Sequence, residues 1–139
     1  MHLLDTDTLS HLHAGNARVI ERLRKLDDAD VATTVITKIE LLRGRFEYVM
    51  KAANGDELLR AQDWLTKTEV LLSQIRIVGL DERSAETFDQ LGNTSRLRKI
   101  GRADQLIASI ALAHQAVLVT RNLRHFDQIS QLKLANWVD

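Results

Sequence analysis

The chain has 139 residues, 45% hydrophobic and 27% charged, with 19 basic and 19 acidic side chains and zero formal net charge. That length suits one domain, expected over residues 1–139, and the even balance lacks the basic surplus of a typical nucleic-acid binder. Cys is absent, which excludes disulfides and thiolate chemistry. With no membrane-length apolar run and no basic-then-apolar leader, a cytoplasmic protein is expected.

Leu3 and Leu4 run straight into Asp5, Thr6 and Asp7. An apolar run that stops on an acidic, hydroxyl-rich turn predicts a buried strand ending where a helix begins. Asp5 then stands at the carboxyl end of a strand, where ligands collect in open parallel sheets. Residues 8–13 can start a short helix, and Asn16 can cap another through about Leu26. A short strand is expected at 31–33. Thr34 then caps a helix with Val35, Ile36, Ile39 and Phe46 on one side. Residues 56–74 read as a long amphipathic helix, with Leu58, Leu59, Leu65 and Leu72 available for a core or a partner.

A strand at 75–79 is followed by a helix capped by Asp81 and running to about Leu97. Gly101 breaks the chain before a helix over 103–114. Residues 117–120 form the clearest strand, and 132–138 supply an edge strand. Strands alternating with helices predict an α/β fold, with a mostly parallel sheet of about five strands covered on both faces. No linker, repeat or low-complexity segment interrupts it.

Four positions carry the chemistry. Asp5 ends the first strand, and Glu40 lies beside the stripe of Ile36 and Ile39. Asp104 is in line with Ile107, Ala108, Ala111 and Leu112, on the buried side of its helix. Asn122 follows the strand at 117–120. Each has a structural alternative: Asp5 or Asp7 as a helix cap, Asp104 as a partner of the helix dipole, Glu40 in an ion pair with Arg43 or Arg45. Jointly they point to one edge. Converging carboxylates need a cation, and oxygen ligands select hard ions, Mg²⁺ or Mn²⁺, suited to phosphodiester hydrolysis. Arg96, Arg98, Lys99 and Arg102, then Arg121 and Arg124, and Arg43, Arg45 and Lys51 would make a local positive field if they met there. Taken singly, each group is a solvated face.

These residues resemble a known family. Leu3-Leu4-Asp5-Thr6-Asp7, residues 37–44 around Glu40, residues 100–108 around Asp104, and residues 119–126 resemble, in order, the four motifs of PIN-domain ribonucleases, specifically VapC-type toxins of type II toxin–antitoxin pairs. The tail at 129–137 is similar to the family's closing strand. The resemblance implies a three-layer α/β/α sandwich, a homodimer, and a VapB-like antitoxin that blocks the site in a heterotetramer or larger assembly. It implies Mg²⁺- or Mn²⁺-dependent endonuclease action on RNA (tRNA or rRNA) by metal-activated water, leaving 5′-phosphate and 3′-hydroxyl ends.

Asp5, Glu40 and Asp104 carry over as catalytic and metal-binding acids. Asn122 stands where many members have a fourth Asp, and His125 replaces an acid often found before the Phe. Thr6, Asp7 and Thr120 are expected to support the acids. Ser10, Arg43, Arg102 and Arg121 are expected to contact RNA. Asp5-Thr6-Asp7-Thr8-Leu9 also fits the opening of haloacid dehalogenase-like phosphatases, with Asp5 as nucleophile and Asp7 as acid. A non-catalytic binding module is the other alternative. The histidines are dispersed, so surface or core roles are expected for them. Trp64, Trp137, Phe46 and Phe88 are expected as core or dimer anchors rather than base-stacking platforms.

Overall fold

A computed structural model describes residues 1–94, 97 and 99–139. In chain order the elements are β1 (His2–Leu4), α1 (Thr6–His13), α2 (Ala17–Lys25), β2 (Val31–Thr34), α3 (Val35–Lys51), α4 (Gly55–Gln74), β3 (Arg76–Val78), α5 (Glu82–Gly92), α6 (Arg102–Ala113), β4 (Val117–Val119), α7 (Leu123–Phe126) and β5 (Lys133–Ala135). The strands form one sheet in the order β3-β2-β1-β4-β5, every pairing parallel. The edge strand expected near the C-terminus is β5.

Alternation along the strands builds two cores, because successive side chains of a strand point to opposite faces. Leu3 and Leu118 face one way, packed with Ile107, Ile110 and Ala111 of α6 and Phe126 of α7. Leu4 and Val119 face the other, against Leu9 of α1, Val19 of α2, Leu41 of α3 and Leu72 of α4. The result is three layers, helices on both sides of the sheet. All-parallel sheets require such cover.

Side chains set the helix starts. Asn16 accepts from the amides of Arg18 and Val19, and Asn54 from that of Glu57. Asp81 and Ser84 form a reciprocal capping box at α5. Thr34 accepts from the Thr37 amide at 3.2 Å and sets where β2 hands over to α3. Thr34→Ala should therefore cost about 1 kcal/mol, read as a lower urea midpoint with an unchanged slope.

Asp28 ties down the other end of β1. One of its oxygens lies 2.6 Å from His2 Nδ1 and 3.1 Å from the N-terminal amine. The Asp30 amide, then His2 and the amine, hold its pKa down at about 2. A carboxylate lowered in the fold contributes stability above its ordinary value, lost as pH falls toward the folded value. Acid titration should therefore show Asp28→Asn losing less stability than the parent between about pH 4 and pH 2.

Two sequence expectations change. Helix α5 ends at Gly92, capped by Asn93, not near Leu97. Gly and Asn are poor helix continuers and good terminators. The stripe on α3 is also split: Ile36 is buried, but Ile39 is 46% and Phe46 52% exposed. Helix α3 runs 17 residues, well past the short strands, and α4 covers one side of it. Ile39, Leu42, Phe46 and Met50 then line an apolar patch on its surface. Leu58, Leu59 and Trp64 of α4 are exposed too, whereas Trp137 is buried in the second core.

Candidate active site

The sheet changes direction of winding at β1. The chain fills positions on one side (β2, β3), then crosses to the other (β4, β5). A crevice opens beyond the carboxyl ends of β1 and β4, the position where open α/β sheets bind ligands. A cavity of about 410 Å³ lies there, lined by Asp5, Thr6, Asp7, Glu40, Asp104, Ile107, Arg121, Asn122 and Phe126. The four positions singled out in sequence, drawn from stretches as far apart as residues 5 and 122, share this one space.

Each is placed by its element. Asp5 is the N-cap of α1, accepting from the Thr8 amide at 2.8 Å, while its own amide donates to Val119 of β4. The capping explanation for Asp5 therefore holds, and it leaves the carboxylate at the crevice. Thr120 is fully buried; its hydroxyl accepts from the Asn122 amide at 3.0 Å and bonds to Asp5. Asp5 is only 8% exposed. Burial raises its carboxyl above the ordinary value, with the Thr120 hydroxyl and then the Thr8 amide pulling the other way.

Glu40 projects from the second turn of α3. The Thr6 hydroxyl donates to its Oε1 at 2.6 Å and lies 3.1 Å from the Thr37 hydroxyl. Among the described residues Glu40 has no ion pair, so the expected alternative with Arg43 or Arg45 is absent. Arg45 turns instead to Thr68 and Trp64. Asp104 sits in the first turn of α6, at the positive end of that helix. His125 Nδ1 lies 3.3 Å from its Oδ2 and 2.6 Å from Asn122 Nδ2. The sequence places His125 within the fourth motif but predicts a surface or core role for it; α7 brings it to the rim of the acids. Its spacing of three from Asn122 was the available signal.

The basic residues gather less than expected. Arg121 lines the cavity and also pairs with Asp139 at 3.2 Å. Arg43 lies on the apolar patch of α3, and Arg102 stands over the Phe88 ring at 5.3 Å. Neither lines the acid cavity. Ser10 opens onto a neighbouring cavity, its hydroxyl donating to the Thr6 carbonyl. Asp7 pairs with His11 at 3.6 Å. Arg96 and Arg98 lie outside the described residues.

Three carboxylates and an amide give an oxygen-rich donor set, matched to a hard divalent cation. Asp5 is desolvated, and no basic side chain among the described residues pairs with it. An uncompensated buried acid is costly, and a cation would relieve that cost. Among the described residues, however, no three acidic or histidine side chains already stand close enough to grip an ion. Thr6 donates to Glu40, and His125 lies against Asp104. In donor chemistry the residues fit Mg²⁺ or Mn²⁺.

An all-parallel α/β sheet with acids at its winding switch places a candidate ligand site above β1 and β4. Residues 2–132 match the PIN domain, and the chain belongs to that family. It is similar to Ribonuclease VapC1 of Haemophilus influenzae strain R2866, 28% identical over 141 residues, covering 99% of this chain and 98% of the relative. The tRNA(fMet)-specific endonuclease VapC of Salmonella typhimurium strain LT2 is 25% identical over 138 residues, covering 97% and 96%. The crystal structure of VapBC2 from Rickettsia felis, bound to a DNA fragment from their promoter, superposes with a TM-score of 0.78 at 25% identity over 98% of each chain. Family membership removes the haloacid dehalogenase-like reading. Where that reading needs a second acid a turn after Asp104, the chain has the buried Ala108.

Proposed function

We propose that this chain is the toxin of a type II toxin–antitoxin pair, an endoribonuclease that hydrolyses RNA with Mg²⁺ or Mn²⁺. The observation that carries the reading is the meeting of Asp5, Glu40, Asp104 and Asn122 in one cavity at the switch point of a PIN-domain sheet. Relatives named ribonuclease and tRNA-specific endonuclease, and a neighbour crystallised as a VapBC complex, support it.

Asp5, Asp104 and Glu40 would hold the cation, with Asn122 able to add a carbonyl oxygen. When bound, the cation supplies activation of water and stabilisation of charge on the leaving oxygen. The chain's own residues do the rest. Thr120 and the Thr8 amide orient Asp5, and Thr6 aims Glu40. Arg121 at the cavity wall is placed for a phosphate. Ile107 and Phe126 add apolar surface to the cavity lining.

An antitoxin of the VapB kind is the expected partner. The apolar patch of Ile39, Leu42, Phe46 and Met50 suits a second copy of the chain, hence a homodimer and a larger assembly with antitoxin. No helix among the described residues is long and apolar enough to cross a membrane.

The test is to incubate the antitoxin-free protein with cellular RNA and Mg²⁺ or Mn²⁺ and map the new ends. Discrete cuts with 5′-phosphates are the expected result. Glu40→Gln should slow cleavage by more than about 100-fold, beyond what loss of an indirect partner of the metal commonly costs, without unfolding the chain. Metal uptake and RNA binding without cleavage would make the chain a binding module instead.

A further inference from the structure

A second cavity, of about 490 Å³, lies between α1, α3 and α4. Arg45 lines it. Its Nε donates to the hydroxyl of buried Thr68 at 2.9 Å, and its guanidinium stands 4.1 Å from the Trp64 ring centroid. These two contacts fix the plane of the fork, and neither neutralises its charge. Arg60 also lines the cavity. Among the described residues no ion pair includes Arg45 or Arg60, and the cavity's acid, Asp63, is paired with Lys67 at 2.9 Å.

A half-buried, orientated guanidinium without a counter-charge matches one kind of ligand: an anion with paired oxygens, such as a phosphate. Burial lowers the Arg45 pKa, which agrees with a cation lacking compensation. Beside it, Trp64 keeps 44% of its surface in solvent, with Tyr48 edge-on at 5.8 Å. Trp64 is thus not the core anchor expected from sequence, and an exposed, braced indole among cations is the arrangement that stacks the bases of single-stranded nucleic acid.

The two cavities are joined by α1. Thr6 and Asp7 line the acidic one, and Ser10 and His13, further along the same helix, line this one. Ser10 follows Thr6 by about one helical turn, some 5.4 Å along the axis, so the two cavities are neighbours along α1. We propose that the cavity between α1, α3 and α4 is a subsite for the single-stranded RNA that flanks the scissile bond, with Arg45 and Arg60 on phosphates and Trp64 under a base. The proposal rests on the ribonuclease reading and adds to it the path of the substrate. A polypeptide partner is the competing occupant, and the uncompensated positive charge favours the polyanion.

The experiment uses the Asp104→Asn protein, so that RNA is not cut, and a fluorescein-labelled single-stranded RNA oligonucleotide. Arg60→Ala and Trp64→Ala should each weaken binding about tenfold. The salt slope should fall by about 0.7 for Arg60→Ala and stay unchanged for Trp64→Ala. Arg45→Lys, which keeps the charge but loses the fork, should also weaken binding. Arg24→Ala, an equal loss of charge elsewhere on the surface, should bind as the parent does. RNA should quench the exposed Trp64 and leave the buried Trp137 unaffected, so quenching should vanish in Trp64→Phe.

With cutting restored, Arg60→Ala should raise KM more than it lowers kcat. If the parent binds RNA and the cavity variants bind it equally well, the subsite is overturned while the ribonuclease reading stands. Quenching of Trp64 by polyglutamate but not by RNA would also overturn it, assigning the cavity to a protein. A parent that neither binds nor cuts RNA would sink the ribonuclease reading itself.

Discussion

Asp5→Asn is expected to give a protein that melts at a higher temperature than the parent near neutral pH and does not cleave RNA. Burial raises the folded pKa of Asp5 above its ordinary value of 3.8. For an acid raised in the fold, the contribution to stability is present below the unfolded pKa and is lost as pH rises through the folded one. Near neutrality the parent therefore carries the cost of a buried, ionised carboxylate. Asn removes the charge, yet its side-chain oxygen can still accept from the Thr8 amide, and Asn caps helices as well as Asp does.

Cleavage should fall by more than about 100-fold, beyond what the indirect partners of a metal commonly cost. Mg²⁺ should raise the melting temperature of the parent more than that of the variant, because ligand binding to the native state stabilises it by mass action. Calorimetry with and without metal, beside an RNA cleavage assay, checks all three outcomes. A variant that melts lower than the parent would show that the charge is already compensated in the fold. A variant that still cuts at the parent's rate would remove Asp5 from the site.

Phe126→Ala should be the most damaging single truncation near the site. Phe126 is 1% exposed, packs in the core under β1 and β4 with Leu118 and Ile107, and also lines the acid cavity. Deleting a buried phenyl ring costs about 3–5 kcal/mol, against a total of roughly 5–15 kcal/mol for a domain. It would also undermine α7, which carries His125 to Asp104 and follows directly on Asn122. Urea unfolding should show a large fall in midpoint, with cleavage lost in parallel. A loss below about 1 kcal/mol would mean that the core closes over the gap, contrary to the close packing typical of interiors.

The N-terminal stretch illustrates why much of the site was legible. Leu3 and Leu4 are consecutive apolar residues feeding opposite faces, as a strand covered on both sides requires. Asp5 then marks the strand's end and the next helix's start at once, because the same carboxylate caps α1 and faces the crevice. Glu40 and Asp104 could be found because charged groups near apolar stripes stand out against helical periodicity. The extent of α3 was harder to read. Periodicity grouped Ile39 and Phe46 with Ile36, but the short strands and the position of α4 determine which turns are covered, and neither is encoded locally.

His125 and Arg45 show the same boundary from the other side. In the chain they are a histidine three residues past Asn122 and one member of a basic group. In the fold one rests against Asp104, and the other is clamped between Thr68 and Trp64 with its charge unopposed.

By itself, the amino-acid order determined the alternation of strands and helices, the two-sided burial of the sheet, and which acids stand near strand ends or buried faces. Those properties depend on near neighbours, through side-chain alternation, helical spacing and capping. Tertiary structure alone decided which basic residues face the cleft, which half of α3 stays bare, and where a second, cationic cavity opens. Such features depend on distances between residues far apart in sequence, set by the packing of whole layers.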